Sequence, residues 1–156
     1  MATLTFAPLV EEHLPPILEI EKQTNSSPWS ERSFRNELDH AHARFIVAFS
    51  GSKIVGYAGM WLVVDEAHIT TVAVESASRR QGIGWKLMLE LLSDAKQQGM
   101  ICSTLEVRAG NRPAIQMYEK LGYVRTATRS GYYPDNKEDA AVMWLFELQS
   151  WEPPKR

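Results

Sequence analysis

The sequence has little cysteine, no long apolar segment and no excess of one charge. Cys102 is the only cysteine among 156 residues, so an internal disulfide and a multi-cysteine metal site are both excluded. The apolar runs are short, and the start at Met1 lacks a basic segment followed by an apolar one, so we expect neither a membrane span nor a secretory signal. A formal net charge of -2 gives no general attraction for nucleic acid. We therefore expect a cytoplasmic protein without membrane or direct nucleic-acid partners.

The composition is that of one globular domain. Hydrophobic residues make up 44% of the chain and charged residues 23%, which are ordinary values for a soluble protein. The length suits a single core, and no linker or internal repeat interrupts the sequence. We therefore predict one domain over residues 1–156, with a monomer favoured. The one close histidine pair, His40 and His42, has no third ligand nearby, so we expect no metal site.

Apolar periodicity predicts a mixture of strands and helices in an α+β domain. The predicted strands are residues 3–8, 45–49, 54–61, 68–74, 105–107, 123–128 and 140–148. The predicted helices begin near residues 14, 30, 82 and 111, and the last three end near residues 40, 99 and 122. Ser30 and Asn111 are typical N-cap residues, and Gly99 and Gly122 are typical helix ends. A strand, a helix and a strand follow one another at the centre of the chain.

A glycine-containing turn, Arg79-Arg80-Gln81-Gly82-Ile83-Gly84, lies between a predicted strand and a predicted helix. A helix start offers unpaired N–H groups and a partial positive charge, and glycine lets an anion approach the backbone. The turn therefore predicts a phosphate site, although an ordinary helix start stays an alternative at this point. A nicotinamide-binding turn fits poorly because Leu87 stands where a third glycine is needed, and a Walker loop lacks its Gly-Lys-Ser/Thr.

Three ordered motifs resemble those of the GNAT acetyltransferases, over about residues 28–143. They are Arg79-x-x-Gly82-x-Gly84, Leu105-Glu106-Val107-Arg108-Ala109-Gly110-Asn111, and Ala114-Ile115-x-x-Tyr118-x-x-x-Gly122-Tyr123. The resemblance implies a GNAT fold with a central, mostly antiparallel mixed sheet of about seven strands and about four helices, and acetyl-CoA as co-substrate. It implies these cofactor-binding residues: Val72, Ala73, Val74, Arg80, Gln81, Gly82, Ile83, Gly84, Trp85 and Asn111. The sequence departs from the family at Trp85, where a small or basic residue is common, and at Gly110, where serine is usual.

Further motifs resemble the RimI branch, whose members acetylate the N-terminal alanine of the eighteenth small-subunit ribosomal protein. They are Pro28-Trp29-Ser30, Tyr132-Tyr133-Pro134 and Glu138-Asp139-Ala140. The resemblance implies that Trp29, Tyr132 and Tyr133 bind the N-terminal peptide of a ribosomal protein. The acidic pair at 138–139 would either meet a basic peptide or form a solvated loop. Two alternatives are an acetyltransferase for a small amine or antibiotic and a non-catalytic acetyl-CoA binding module.

Acetyl transfer from a thioester to an amine needs a base for the amine and an acid for the departing thiolate. With the resemblance, Glu106 is the expected general base and Tyr118 the expected general acid. Glu66 and a water relay are rival routes for the proton, and an ordinary solvent-facing charge is the simpler interpretation of Glu106. Cys102 would allow a covalent route, but no histidine lies near it in the sequence, so we expect direct transfer in a ternary complex.

Overall fold

The computed structural model describes residues 3–155. The expected absence of a secretory signal at Met1 and the outermost bounds of the predicted domain lie outside these residues. Within them the strands are β1 (Leu4–Pro8), β2 (Ala43–Ser50), β3 (Lys53–Val63), β4 (Glu66–Val74), β5 (Cys102–Arg108), β6 (Val124–Arg129) and β7 (Ala140–Leu145). The α-helices of the same residues are α1 (Leu14–Thr24), α2 (Glu31–Leu38), α3 (Ile83–Gln97) and α4 (Arg112–Leu121).

The strands form one mixed sheet in the order β1-β2-β3-β4-β5-β7-β6. Antiparallel pairing joins β1 to β2, β2 to β3, β5 to β7 and β6 to β7. Parallel pairing joins β4 to β5, from Glu66 opposite Cys102 to His68 opposite Thr104. The predicted α+β class, with a mostly antiparallel sheet of seven strands and four helices, is confirmed.

The order of the predicted elements is also confirmed, while some of their ends differ. Ser30 caps α2 by accepting a hydrogen bond from Ser33 N at 3.1 Å. That helix ends at Leu38, two residues before the predicted end, and Asp39 N still donates to Arg35 O at 3.2 Å. The last strand ends at Leu145 instead of Leu148, because Glu147 takes a left-handed backbone with a φ of 55°.

The contacts within the chain group its residues into two compact units. The first comprises the residues up to Trp61 with Thr70–Leu91, and the second comprises Leu62–Ile69 with the residues from Leu92 onward. In the first unit, Tyr57 on β3 packs edge-on against Phe34 of α2, with ring centroids 5.7 Å apart. The neighbouring residue, Gly56, faces Ile83 and Leu87 of α3 instead. Because side chains alternate along a strand, the two helices lie on opposite faces of β3.

The second unit has its own buried side chains, on β5, β7 and α4 and just before β6. They are Leu105, Val107, Tyr118, Leu121, Tyr123, Met143 and Leu145. The residues after β7 contact the ends of two helices, since Trp151 Nε1 donates to Leu121 O at 2.8 Å and Gln149 Nε2 to Lys96 O at 2.9 Å. Among the described residues, no helix combines the length and apolar character that a membrane crossing requires. The assignment of all 156 residues to one domain stays a prediction.

Candidate active site

The turn at residues 79–84 presents backbone N–H groups at the start of α3. Arg80 has a φ of 66° and Gly82 a φ of 77°. Such left-handed residues curve a backbone so that successive N–H groups point into one concavity, which suits an anion. Lys86 N donates to Gly82 O at 3.1 Å, so the N–H groups of residues 83–85 come before the hydrogen-bonded part of the helix. These N–H groups and the exposed side chains of Arg79 and Arg80 are the hydrogen-bond donors that a pyrophosphate needs.

The end of β4 leads into this turn with a tightly packed backbone. Val72 and Val74 are half-buried and Ala73 is buried. A Cβ at Gly56 would lie 2.8 Å from Ala73 O, so the close approach of β3 to this part of β4 requires glycine. Trp85 is only 6% exposed, so its indole lies in the interior. Its main-chain N–H is the group that it contributes to the anion site of the turn.

Trp29 is held by a buried carboxylate that the sequence analysis did not identify. Glu21 on α1 is 4% exposed and accepts hydrogen bonds from Trp29 N at 2.8 Å and Asn25 Nδ2 at 2.9 Å. The hydroxyl of Tyr57 also donates to Glu21 and is bonded to the side chain of Thr71 on β4. Burial, followed by these contacts with Glu21, raises the pKa of Tyr57. The network therefore links the main chain of Trp29, near the end of the α1–α2 connection, to Tyr57 on β3 through Glu21.

In the second unit, Glu106 projects from β5 and is exposed between the buried Leu105 and Val107. The hydroxyl of Tyr132 donates a hydrogen bond to its carboxylate. This hydrogen bond, followed by burial, raises the pKa of Tyr132, because ionising the phenol would place two negative charges together. Glu106 is therefore a carboxylate oriented by a phenol, which is more than a freely solvated surface charge.

Tyr118 on α4 is a buried phenol with a hydroxyl free to donate. The residue is 8% exposed, and its ring lies edge-on to Tyr123 with centroids 5.8 Å apart. Burial, with a smaller effect of Tyr133, raises the pKa of Tyr118 to about 12. Within residues 3–155 this hydroxyl forms no hydrogen bond. Its oxygen is not a fully buried, unsatisfied atom, so it keeps some exposure. A phenol in this state is protonated at neutral pH and can give its proton to an anion.

The aromatic pair Tyr132 and Tyr133 lies in the connection between β6 and β7. The two rings are perpendicular, with centroids 5.1 Å apart. Arg108, the last residue of β5, places its guanidinium carbon 4.0 Å from the centre of the Tyr133 ring. It also forms ion pairs with Asp135 at 3.0 Å and Glu138 at 3.3 Å. The acidic residue at 138 is thus paired within the protein and is not simply a solvated charge.

Asn111 caps α4, as predicted, by accepting a hydrogen bond from Ala114 N at 3.3 Å. The cap uses the carbonyl oxygen of the side chain, so the amide nitrogen remains the group that can donate to a cofactor. The preceding turn is held by Glu138, whose carboxylate accepts from Gly110 N at 2.9 Å. Although Gly110 has no side chain of its own, its main chain therefore has a fixed partner.

The rivals for the base and for a covalent route lie elsewhere on the same strands. Glu66 pairs with His68 at 2.9 Å and lies opposite Cys102, four residues from Glu106 along β5. That separation corresponds to about 13 Å of extended strand, so Glu66 is not in the cluster around Glu106. Cys102 is buried, and burial, followed by the charges of Glu66 and Asp65, raises its pKa. A thiol in this state is a poor nucleophile.

Comparison with known proteins identifies the family of the chain. The sequence pattern of the Acetyltransferase (GNAT) family matches residues 14–123. The chain belongs to the GNAT family. GNAT acetyltransferases use acetyl-CoA as the acyl donor. The [ribosomal protein bS18]-alanine N-acetyltransferase of Escherichia coli K12 is 35% identical over 143 residues, which cover 90% of this chain and 96% of the relative.

A further relative and a solved structure place this GNAT protein with the RimI enzymes. The N-alpha-acetyltransferase RimI of Mycobacterium tuberculosis is 34% identical over 130 residues, covering 81% of this chain and 80% of the relative. The crystal structure of the Escherichia coli ribosomal-protein-S18-alanine N-acetyltransferase superposes with a TM-score of 0.86 at 32% identity. The superposition covers 93% of this chain and 94% of that one. The resemblance stated from the motifs is confirmed, and the chain is an acyltransferase of the RimI type.

Sequence reasoning missed two of the residues that organise the site, Glu21 and Arg108. Glu21 had a signal, since it falls seven residues after Leu14 and four after Ile17, on the apolar face of α1. A carboxylate on an apolar face is expected to have buried donors around it. Arg108 lay inside a recognised motif, but its partners stand some 30 residues away in an irregular segment, where no periodicity predicts them.

Proposed function

We propose that this chain transfers the acetyl group of acetyl-CoA to the N-terminal α-amine of a protein, with the N-terminal alanine of ribosomal protein bS18 as the expected acceptor. The observation that carries the proposal is the named activity of the Escherichia coli relative, which matches 90% of this chain at 35% identity. The exposed carboxylate of Glu106 supports it, because an incoming amine needs an oriented proton acceptor.

The residues of the first unit suit the acyl donor. The N–H groups at residues 82–85 would hold the pyrophosphate, helped by Arg80, and the main chain of Val72, Ala73 and Val74 would hold the pantetheine arm. Gln81 is exposed within the same turn. In the second unit, the side-chain amide of Asn111 would donate to the cofactor. When bound, acetyl-CoA supplies the activated acyl group.

The groups of the protein itself then transfer two protons and stabilise one developing negative charge. A protein α-amine has a reference pKa of about 7.7–8.0, so roughly a tenth is neutral at pH 7. Glu106 takes the proton that the attacking amine has to lose, directly or through one water molecule. Tyr118 gives its proton to the departing thiolate. A main-chain N–H near Val74 would stabilise the oxyanion, which typically contributes about 3 kcal/mol. Trp29, Tyr132 and Tyr133 would bind the peptide that carries the amine.

Direct transfer is favoured over an acetyl-cysteine route. Cys102 is buried on β5, and its pKa is raised instead of lowered. An activated cysteine needs the opposite environment. Steady-state kinetics distinguish the two routes, because direct transfer gives intersecting double-reciprocal lines and a covalent route gives parallel ones. Activity that survives Cys102→Ser would support the same conclusion.

The acceptor is tested with labelled acetyl-CoA and three peptides. One carries a free N-terminal alanine in the bS18 sequence without lysine, the second has the same sequence with a blocked N-terminus, and the third is blocked but contains lysine. We expect label only on the first, with mass spectrometry placing it on the α-amine. Label only on lysine, or none at all, would overturn the proposal. A parallel measurement of free-thiol release with polyamines and aminoglycosides reveals a small-amine enzyme, and binding of acetyl-CoA without any turnover reveals a binding module.

A further inference from the structure

The connection between β6 and β7, residues 130–139, has no regular secondary structure, yet it carries both candidate peptide-binding tyrosines. Main-chain hydrogen bonds from Tyr133 N to Glu138 O at 3.2 Å and from Lys137 N to Tyr133 O at 2.8 Å hold part of this segment, and side chains hold the rest. Hydrogen bonds to side chains inside the segment run from Gly131 N to Asp139 Oδ1 at 2.9 Å, from Asn136 N to Asp135 Oδ1 at 2.9 Å and from Glu138 N to Asn136 Oδ1 at 3.0 Å. At the end of β5, Ala109 N donates to Asp139 O at 2.9 Å. The side chain of Arg108 contacts four residues of the segment, Tyr133, Asp135, Asn136 and Glu138.

The guanidinium of Arg108 is engaged on its face and on its edge. Its face lies under Tyr133, with 4.0 Å from the guanidinium carbon to the ring centre. Its edge contacts Asp135 through Nη2 at 3.0 Å and Glu138 through Nη1 at 3.3 Å. The side chain of Arg108 is 31% exposed, so these contacts are partly shielded from water. Only a planar, forked cation can stack on a ring and bind two carboxylates in this way.

Glu138 extends the same contact to the turn before α4. While Oε1 faces Arg108, Oε2 accepts a hydrogen bond from Gly110 N at 2.9 Å. A Cβ at Gly110 would itself lie 2.9 Å from Oε2, so the carboxylate fills the space beside the glycine. One carboxylate therefore joins the β6–β7 connection both to the end of β5 and to the turn that leads to Asn111.

We propose that Arg108 and Glu138 are positioning residues for the acceptor: together they clamp the β6–β7 connection on the end of β5 and so set the place of Tyr132 and Tyr133. The inference rests on the proposed function, because it assigns the clamp to peptide binding. Tyr132 donates its hydroxyl to Glu106, so a displaced connection would release the base as well as the peptide wall. No contact of the clamp involves the turn at residues 79–84 among the described residues, so the cofactor turn is not expected to respond.

The test measures KM for the bS18 peptide, KM for acetyl-CoA and kcat in three variants. Arg108→Lys keeps the charge but loses the fork, Glu138→Gln keeps the size but loses the charge, and Gly110→Ala pushes the carboxylate away without changing any charge. We expect each to raise the peptide KM about fivefold, the upper range for a partly exposed ion pair, with the acetyl-CoA KM within about twofold of wild type. The double variant of Arg108 and Glu138 should be little worse than either single variant, because the two act on one link.

Arg125→Lys is the matched control, since Arg125 lies in the same unit, on β6, and bonds to the hydroxyl of Thr128 at 3.0 Å. It should leave both KM values unchanged. The clamp is overturned if the three variants behave like Arg125→Lys, or if the two KM values rise together. Should Arg108→Lys prove unstable, Glu138→Gln and Gly110→Ala still decide the outcome, because both leave the side chain of Arg108 intact.

Amide hydrogen exchange separates failure of the clamp from failure of the proposed function. In Glu138→Gln we expect exchange at Gly110 and Gly131 to quicken about tenfold, with no change in β7. If wild type acetylates no α-amine but this quickening occurs, the proposed acceptor is wrong and the structural clamp stands without its assigned role. If wild type acetylates the peptide but exchange and peptide KM are both unchanged, the clamp is wrong and the function stands.

Discussion

Tyr57→Phe removes a single hydroxyl from the centre of the first unit. The residue is 0% exposed, and its hydroxyl donates to Glu21, which is itself 4% exposed. A hydrogen bond to a charged group contributes about 1.5–3 kcal/mol. Because Glu21 keeps its bonds from Trp29 N and Asn25 Nδ2, we expect a loss in the middle of that range, about 2 kcal/mol. For a protein of this size the melting temperature would fall by about 4–8 °C.

Glu21→Leu perturbs the same network from the other side and should cost more. It leaves the buried hydroxyl of Tyr57 with the Thr71 side chain in place of a charged acceptor, with a penalty of about 1–3 kcal/mol beyond the lost bonds. In the double variant the hydroxyl is absent, so its penalty disappears and the total is about 1–2 kcal/mol smaller than the sum of the single changes. A positive coupling of this size is the signature of a shared buried hydrogen bond.

Urea unfolding followed by circular dichroism measures these free energies, provided that the transition is two-state. Tyr118→Phe is the matched control, because its phenol is also buried but donates no hydrogen bond within the described residues. We expect its stability to remain within about 0.5 kcal/mol of wild type. Equal losses for Tyr57→Phe and Tyr118→Phe, or additivity in the double variant, would refute the reasoning.

Three further predictions concern catalysis and cofactor binding. Glu106→Gln should lower kcat about a hundredfold with little change in acetyl-CoA affinity, measured by stopped-flow and calorimetry; an unchanged kcat would transfer the base role to Glu66 or to water. Tyr118→Phe should lower kcat similarly, and in wild type the pKa of about 12 means that this phenol stays protonated, so a rate that falls between pH 8 and 9 as Tyr118 ionises would contradict its role. Gly82→Ala should cost about 1 kcal/mol of strain at a φ of 77° and weaken acetyl-CoA binding, whereas Gly99→Ala, at a φ of 84° with nothing within 4 Å, should cost similar stability and leave binding unchanged.

The parts of the fold that the sequence predicted are those governed by neighbours along the chain. The turn at residues 79–84 was predictable because glycine, a helix start and two arginines act within six residues. The cap by Asn111 and the burial of Tyr118 seven residues later follow from one helix geometry. The motifs also identified the family, which supplied the number of strands and the sheet pattern that periodicity alone does not determine.

The parts that the sequence did not predict depend on contacts between distant residues. Tyr132 reaches Glu106 across 26 positions, and Arg108 reaches Glu138 across 30. Both contacts involve a segment without regular structure, for which hydrophobic periodicity carries no information. The end of β7 was misplaced for a related reason, because a left-handed backbone at a glutamate, Glu147, has no signature in its residue type.

These distant contacts change the interpretation of the acidic residues near the candidate site. Glu138 was one of two residues expected either to meet a basic peptide or to remain solvated, yet its carboxylate is shared between Arg108 and the main chain of Gly110. Asp139 likewise accepts a hydrogen bond from Gly131 N at 2.9 Å. A carboxylate that is already neutralised by a nearby cation offers little extra attraction to a second one. In the proposed reaction Glu106 is then the carboxylate that faces the acceptor. It directs recognition toward the α-amine itself and away from basic side chains further along the peptide.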